Sequence, residues 1–204
     1  MLELIGDKKY GFIRDMRPDL PKDDDDPFVP PPLIRKFNLR DGLVLEGTLK
    51  PGRKGGTQVD EIYKVQGVPP ETWIEVDEFG SGASIYPEEK LDLVTAPDDT
   101  SMRVVDLVAP IGKGQRALIV APPRTGKTVL LKQMASSISQ NHPEVELVGL
   151  LVDERHEEVT DFKRSTPAQI FASSNDRDED NHVRVSTLAL EYAKRLVELR
   201  RDVV

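Results

Sequence analysis

Arg116-Ala-Leu-Ile-Val-Ala-Pro-Pro-Arg-Thr-Gly-Lys-Thr-Val-Leu-Leu131 is the stretch whose reading decides the fold. Its apolar run 117–121 has the length of a strand and is followed by prolines, which predicts a buried strand. A tight loop, 122–126, follows, and then Lys127-Thr128 and a helical pattern over 129–138. Strand, loop and helix in that order are the context a phosphate-binding loop needs. Backbone N–H groups of such a loop point at phosphate oxygens, and the positive end of the helix adds to their field. Lys127 is long enough to reach β- and γ-phosphates, and the Thr128 hydroxyl suits Mg²⁺. One position departs from G-x-x-x-x-G-K-[ST]: Ala121 stands at the first glycine, which keeps the small size and loses easy access to positive φ.

Outward from the loop, Gly112 and Gly114 predict a flexible turn before the strand, and 103–108 reads as a strand or extended run. Beyond the helix, 146–152 is an apolar strand that ends in Asp153-Glu154-Arg155. Two apolar runs joined by a helix predict a βαβ unit with a parallel sheet. Ligands sit at the carboxyl ends of such strands, so Glu154 falls on the edge expected to carry Lys127. A carboxylate there can orient a water for attack on a γ-phosphate; three charged residues at a strand end also fit a solvated terminus. A short helix over 157–165, a third strand over 170–174 and an amphipathic helix over 182–201 follow. The stripe Val185, Leu188, Ala189, Tyr192, Leu196 and Leu199 reads as core packing. Residues 202–204 look like the start of a fourth strand.

The first third of the chain has another grain. Strands are expected at 2–5, 9–14, 28–29, 43–49 and 58–65, with a helical turn at 33–39 and a turn at Asp41-Gly42. Five short strands with turns between them predict a small antiparallel barrel of the OB type. Tyr10 and Phe12 are two apart and share a face, flanked by Lys9 and Arg14. Such a pair suits base stacking with phosphates held by the flanking charges, and it equally suits a core face. Residues 66–100 are acidic and rich in Pro and Gly, with Trp73 isolated; they read as a partly packed connection, with a linker at 97–101.

Of 204 residues, 36 are acidic and 28 basic, for a net charge of −8. Residues 55–100 alone hold 11 acidic and 2 basic residues, so the acidity is concentrated there. A low overall pI therefore does not exclude nucleic acid from the first segment. The chain has no cysteine, which excludes disulfides and thiolate metal sites. There is no apolar run of membrane-spanning length and no signal peptide, so a soluble cytoplasmic protein without a membrane partner is expected.

The first segment resembles the cold-shock-like RNA-binding domain through Tyr10-Gly-Phe-Ile-Arg14 and Asp26-Pro-Phe-Val29. That resemblance favours base stacking by Tyr10, Phe12 and Phe28. The whole chain resembles the family of the transcription termination factor Rho, most specifically in 103–116, 121–128, 151–160 and 193–197. Members of that family also carry Ala at the first loop position. The resemblance implies a hexameric RecA-like ATPase that uses ATP and Mg²⁺, translocates along single-stranded RNA as a helicase, and releases transcripts from RNA polymerase.

It also implies roles for single residues. Gly112, Lys113, Gly114, Gln115, Arg116, Ala117, Arg124, Thr125, Gly126, Lys127, Thr128, Val129 and Arg155 would contact ATP. Glu154 would activate the attacking water, with Lys127 beside the phosphates. Lys9, Tyr10, Gly11, Phe12, Ile13 and Arg14 form one RNA-binding stretch, and Asp26, Pro27 and Phe28 another. A third stretch falls near 56–58, without its usual charged and aromatic residues. Arg124 stands where Lys is common.

The expected class is α+β, an OB-type barrel followed by a truncated α/β RecA-like domain with a parallel sheet. The segments are 1–66, an acidic connection 67–101, and the ATPase domain 102–204. Measured against the family, the chain reads as a fragment in which the second metal-ordering carboxylate and the arginine finger lie beyond Val204. ATP turnover by the fragment alone is expected to be slow or absent. The alternatives are an RNA- and nucleotide-binding module without turnover and another RecA-like ATPase, such as a rotary-ATPase subunit. The Tyr-Gly-Phe-Ile motif argues against the latter.

Overall fold

The structure, a computed structural model, describes residues 1–6, 10–52, 55–82, 86–122 and 124–204. Lys9, the basic loop residues Arg53 and Lys54, and Pro123 lie outside the described residues. The chain divides into two compact units. The first comprises Met1–Gly82, Leu150–Glu154 and Phe171–Arg200; the second comprises Ala83–Gly149, Arg155–Ile170 and Arg201–Val204.

In the first unit, β1 (Leu2–Ile5), β2 (Tyr10–Ile13), β3 (Phe28–Val29), β4 (Leu45–Pro51) and β5 (Thr57–Val65) form one sheet in the order β1-β2-β3-β5-β4. Neighbours are antiparallel except β3 and β5, which run parallel with Phe28 opposite Gln58. The Leu2 N–H donates to Leu43 O at 2.7 Å and the Gly42 N–H to Leu2 O at 3.0 Å, so β1 also touches the chain leading into β4. Alternation sorts the faces. Leu2, Ile13 and Val29 point to a core shared with Ile34, Leu43, Val59, Ile62 and Val65, while Tyr10, Phe12 and Phe28 point away from it.

The helical turn expected at 33–39 is α1 (Pro31–Lys36), started by prolines whose missing N–H costs nothing there. Trp73 is not isolated. It lies in α2 (Pro70–Ile74), is 0% exposed, and belongs to the same core. The long helix of the unit, α6 (Glu179–Glu198), is capped by the Asp178 carboxylate, which accepts from the Asn181 N–H at 2.8 Å. Its buried residues include Val185, Leu188, Ala189 and Leu196, the stripe expected from sequence.

Gly42 fixes the turn before β4. Its φ is +84°, and a Cβ there would meet Tyr192 N at 2.4 Å and Glu191 C at 2.5 Å, both backbone atoms of α6. Left-handed strain alone costs an L-residue roughly 1–2 kcal/mol. Gly42→Ala is therefore expected to destabilise the chain by more than about 2 kcal/mol in urea denaturation. An unchanged midpoint would contradict this packing.

In the second unit, β6 (Lys90–Leu91) pairs antiparallel with β7 (Ile111–Gly112). Its core joins Leu91, Leu93, Met102, Ile138 and Val145. Residues 103–108, read as extended, are helical in α3 (Thr100–Val108). The missed signal was the N-cap: the Asp99 carboxylate accepts from the Met102 N–H at 3.3 Å, and nothing in the run breaks a helix. Helix α4 (Lys127–Asn141) follows the loop as expected, and α5 (His156–Ser165) matches the predicted short helix. The α4 residue Lys132 pairs with Asp161 of α5, and its amine lies 5.8 Å from the Phe162 ring.

The strand expected at 117–121 is absent: residues 115–122 are irregular, with Leu118 85% and Val120 81% exposed. An apolar run gains from extended pairing only where neighbours accept its hydrogen bonds and cover its faces. Among the described residues no strand pairs with it.

The predicted parallel sheet appears elsewhere, in β8 (Val148–Glu154) and β9 (Gln169–Ser174). The Gln169 N–H donates to Leu147 O at 2.8 Å and the Asn175 N–H to Glu154 O at 3.2 Å, the same order at both ends. Val203 bridges to Glu146 in parallel, so the expected fourth strand begins where the sequence placed it.

Candidate functional site

Two candidate sites emerge, one in each unit. On the outward face of the first unit's sheet the rings of Tyr10, Phe12 and Phe28 form a triangle. Centroids are 6.0 Å apart for Tyr10–Phe12, 6.0 Å for Tyr10–Phe28 and 5.8 Å for Phe12–Phe28. Tyr10 is 37% exposed, and Phe12 and Phe28 are half-buried. The β2–β3 register brings this about, because Phe12 stands directly opposite Phe28.

Gly11, between Tyr10 and Phe12, faces inward. A Cβ there would meet Glu3 O at 2.8 Å and Leu2 Cδ1 at 2.9 Å, so only glycine lets β1 and β2 approach. Ile13 packs against the core. The Ile13 N–H donates to Pro27 O at 2.9 Å, which ties the two motif stretches together.

Arg14 is placed otherwise than an exposed phosphate-binding flank would be. It is buried, pairs through Nε with Glu3 and through Nη1 with Asp26, and its guanidinium carbon lies 5.1 Å from the Phe12 centroid. Asp26 also accepts from the Asp23 N–H at 2.8 Å, closing the turn before β3. The Met1 amine donates to Arg14 O at 2.6 Å, and burial lowers its pKa from 8.0 to about 6. Sequence reasoning missed one neighbour of the face: Glu3 is opposite Phe12, which the alternation in Leu2–Ile5 could have revealed. Gln58, in the third stretch expected near 56–58, is opposite Phe28 through the parallel β3–β5 pairing, which has no local signal.

In the second unit the loop before α4 turns on two left-handed residues, Arg124 at φ 64° and Gly126 at φ 95°. The Thr125 hydroxyl donates to Pro122 O at 2.8 Å and closes the loop. Gly126 is the N-cap of α4 and brings no side-chain acceptor, while the Leu130 N–H returns to Gly126 O at 2.9 Å. The helix start thus presents backbone N–H groups without a capping carboxylate or hydroxyl. A Cβ at Gly126 would meet nothing within 4 Å, so the space before the helix is open. Lys127 and Val129 are exposed and Thr128 is half-buried; Lys127 makes no ion pair among the described residues. This arrangement fits a phosphate, with Thr128 next to it for a divalent cation.

Other sequence-selected residues take structural positions. The Lys113 amine is held by Asp202 at 2.8 Å, Glu89 at 2.7 Å and Glu144 at 3.5 Å. The bonds to Asp202 and then Glu89 raise its pKa. Gly114 takes φ +85°, and the Gln115 side chain accepts from the Gly112 N–H at 2.8 Å. Arg116 and Ala117 lie in the irregular exposed run. Arg155 is the N-cap of α5. Glu154 closes β8, directly after Asp153 at φ 60°, and belongs to the first unit. Among the described residues no group of three metal-ligating side chains occurs, and no helix is long and apolar enough to cross a membrane.

Comparison with known proteins bears on both sites. Residues 1–71 match the profile of the Rho termination factor, RNA-binding domain. Residues 101–204, just over half of the chain, match the ATP synthase alpha/beta family, nucleotide-binding domain. The transcription termination factor Rho of Cereibacter sphaeroides is 44% identical over 209 residues, covering 100% of this chain and 49% of the relative. That of Bacillus subtilis is 40% identical over 100% of this chain and 48% of the relative. That of Thermotoga maritima is 42% identical over 96% and 46%. The chain belongs to the ATP synthase alpha/beta family through its second half and to the Rho family through its whole length. It spans about half the length of the curated relatives it matches. The Rho RNA-binding match contains the entire aromatic triangle with Glu3, Arg14 and Gln58, and the nucleotide-binding match contains the loop 122–128, Glu154 and Arg155.

Proposed function

We propose that the chain is the RNA- and nucleotide-binding part of a Rho-type, RNA-dependent ATPase that acts in transcription termination. The observation that carries the reading is the aromatic triangle of Tyr10, Phe12 and Phe28, turned outward from a five-stranded sheet inside the Rho RNA-binding match. A core-directed cluster would point to the other side of β2, where Gly11 and Ile13 are. Single-stranded bases present both π-faces to such rings, whereas paired bases hide them in the stack. The contact from β1 to residues 42–43 supports reading the sheet as an OB-type barrel.

The roles of the site residues divide accordingly. Tyr10, Phe12 and Phe28 stack on bases, and Lys9 steers phosphates. Gly11, Ile13, Arg14, Asp26 and Pro27 shape the platform. Around the loop, Arg124, Thr125, Gly126, Lys127, Thr128 and Val129 hold the phosphates, with Gly112, Lys113, Gly114, Gln115, Arg116, Ala117 and Arg155 as the outlying nucleotide contacts. Thr128 would hold Mg²⁺, which would supply positive charge to the transferred phosphoryl group. Glu154 orients the attacking water. RNA polymerase, a hexameric ring and a cytoplasmic setting belong to the same proposal, as do the domain limits 1–66, 67–101 and 102–204. Binding without turnover is the alternative.

Two measurements test it. Labelled single-stranded RNA should bind the chain more tightly than a duplex of the same sequence; equal affinities would overturn the stacking reading. For the nucleotide, Lys127→Ala removes a charge-assisted contact of about 1.5–3 kcal/mol, so ATP affinity should fall roughly ten- to a hundredfold. A fluorescent-ATP titration that gives equal affinities would remove Lys127 from the site.

A further inference from the structure

Glu3 stands opposite Phe12 across β1 and β2, so its side chain is on the aromatic face rather than in the core. It is nevertheless buried, its side chain 8% exposed. A buried carboxylate survives only with partners. Glu3 has two, and both are guanidiniums that meet the same oxygen. Arg14 Nε is 2.5 Å from Oε2, and Arg184 Nη1, from α6 of the same unit, is 3.3 Å from it. Arg14 reaches on to Asp26 and lies against the Phe12 ring. Arg184 also donates to Leu20 O at 2.7 Å and to Asn181 Oδ1 at 3.3 Å. Two cations, Arg14 buried and Arg184 partly buried, and two carboxylates make a balanced set that ends on an aromatic ring.

We infer that Glu3 and Arg184 are positioning residues for the RNA-facing aromatics: the Glu3 carboxylate neutralises both guanidiniums, and Arg14 thereby stays against Phe12. The inference rests on the RNA-binding reading of this face. Its content is a charge balance. Without the Glu3 charge, Arg14 keeps only Asp26 and Arg184 loses the carboxylate it meets, and mutual repulsion displaces Arg14 from the ring. Without Arg184, the pair Arg14–Glu3 and the bond to Asp26 both remain. Without either charge, Arg14 and Asp26 still form a neutral pair.

The sign of the effect separates positioning from plain electrostatics. Glu3→Gln makes the face more positive and Arg184→Gln makes it less so. By attraction to phosphates alone, the first change would tighten RNA binding and the second would weaken it. Positioning predicts instead that the first weakens binding and that the second leaves it nearly unchanged.

The experiment measures fluorescence anisotropy of a labelled single-stranded RNA with the 204-residue chain and its variants. Glu3→Gln should weaken binding about tenfold. Arg184→Gln alone should stay within about threefold of the parent, and in the Glu3→Gln background it should restore most of the lost affinity. Additive losses, or no loss in Glu3→Gln, would overturn the inference. If Glu3→Gln fails to fold by circular dichroism, Glu3→Asp replaces it. The shorter carboxylate cannot serve both guanidiniums, and rescue by Arg184→Gln is again required. Phe12→Ala is the control for the site itself. Unchanged RNA affinity there defeats the RNA reading, whereas loss there with none in Glu3→Gln defeats only the positioning.

Discussion

Replacing Phe12 and Phe28 together by alanine is expected to lower single-stranded RNA affinity by about 2–6 kcal/mol, taking stacking at roughly 1–3 kcal/mol per base. That is between about thirtyfold and complete loss in an ordinary titration. The two rings are direct partners across β2 and β3, 5.8 Å apart, and each borders Tyr10. Removing one leaves the other two to stack, so each single variant should cost less than half of the double. The fold should persist, because both side chains leave the sheet on the side away from the core. Its integrity is carried by Leu2, Ile13 and Val29 on the opposite face and by the bond from the Ile13 N–H to Pro27 O. A melt by circular dichroism that stays cooperative, together with lost RNA binding, is the expected pair of results. Retained affinity, or unfolding of the double variant, would make the triangle a packing feature.

The strands of the first unit were legible because β1 and β2 alternate and the turns are marked by glycine or proline. Tyr10 and Phe12 could be placed on one face from their spacing alone. Their meeting with Phe28 could not be derived this way, since the β2–β3 register is set by a long connection whose anchor is buried: Arg14, paired with Glu3 and Asp26. For the same reason Arg14 read as an exposed flank. A positive residue beside aromatics has the same appearance in sequence whether it faces phosphate or two carboxylates.

Around the phosphate loop, legibility ran the other way. The helix that begins at Lys127 was read correctly, because a helix start is a local event with local signals. The strand expected at 117–121 was not formed, because extended pairing depends on distant partners that no short motif encodes. Residues 100–108 show the remaining weakness. A β-branched run favours a strand on propensity, yet Asp99 at the N-cap, Met102 in the core and Val105 packed against it carry the helix.

Trp73→Ala is expected to destabilise the first unit by about 3–5 kcal/mol, the usual cost of emptying a large aromatic site. Trp73 sat in a stretch read as a partly packed connection, and its burial ties residues up to about 76 to the core of the first unit. It packs with Phe37, Leu39, Leu43 and Val65, and the Val76 N–H returns to Trp73 O at 3.0 Å. The indole N–H donates to Asn38 O at 3.3 Å, so the residue is held by both apolar contact and a polar tip. On its face lies the Arg40 guanidinium, 4.6 Å from the ring. Burial lowers the Arg40 pKa, and among the described residues its carboxylate pairs run through Nη1, to Glu198 at 3.0 Å and Glu78 at 4.0 Å. The ring therefore stands in for the acceptors that Nε and Nη2 lack among the described residues, and its removal leaves a buried cation half-supported. Trp73→Phe keeps most of the volume and a π-face but loses the indole N–H, so it should cost clearly less, about 1–2 kcal/mol. Urea denaturation followed by circular dichroism measures both, since Trp73 is the single tryptophan and its loss removes the fluorescence signal. Equal costs for Ala and Phe would show that the indole N–H, rather than volume and the cation contact, holds this end of the unit. A cost below about 1 kcal/mol for alanine would place Trp73 outside the core altogether.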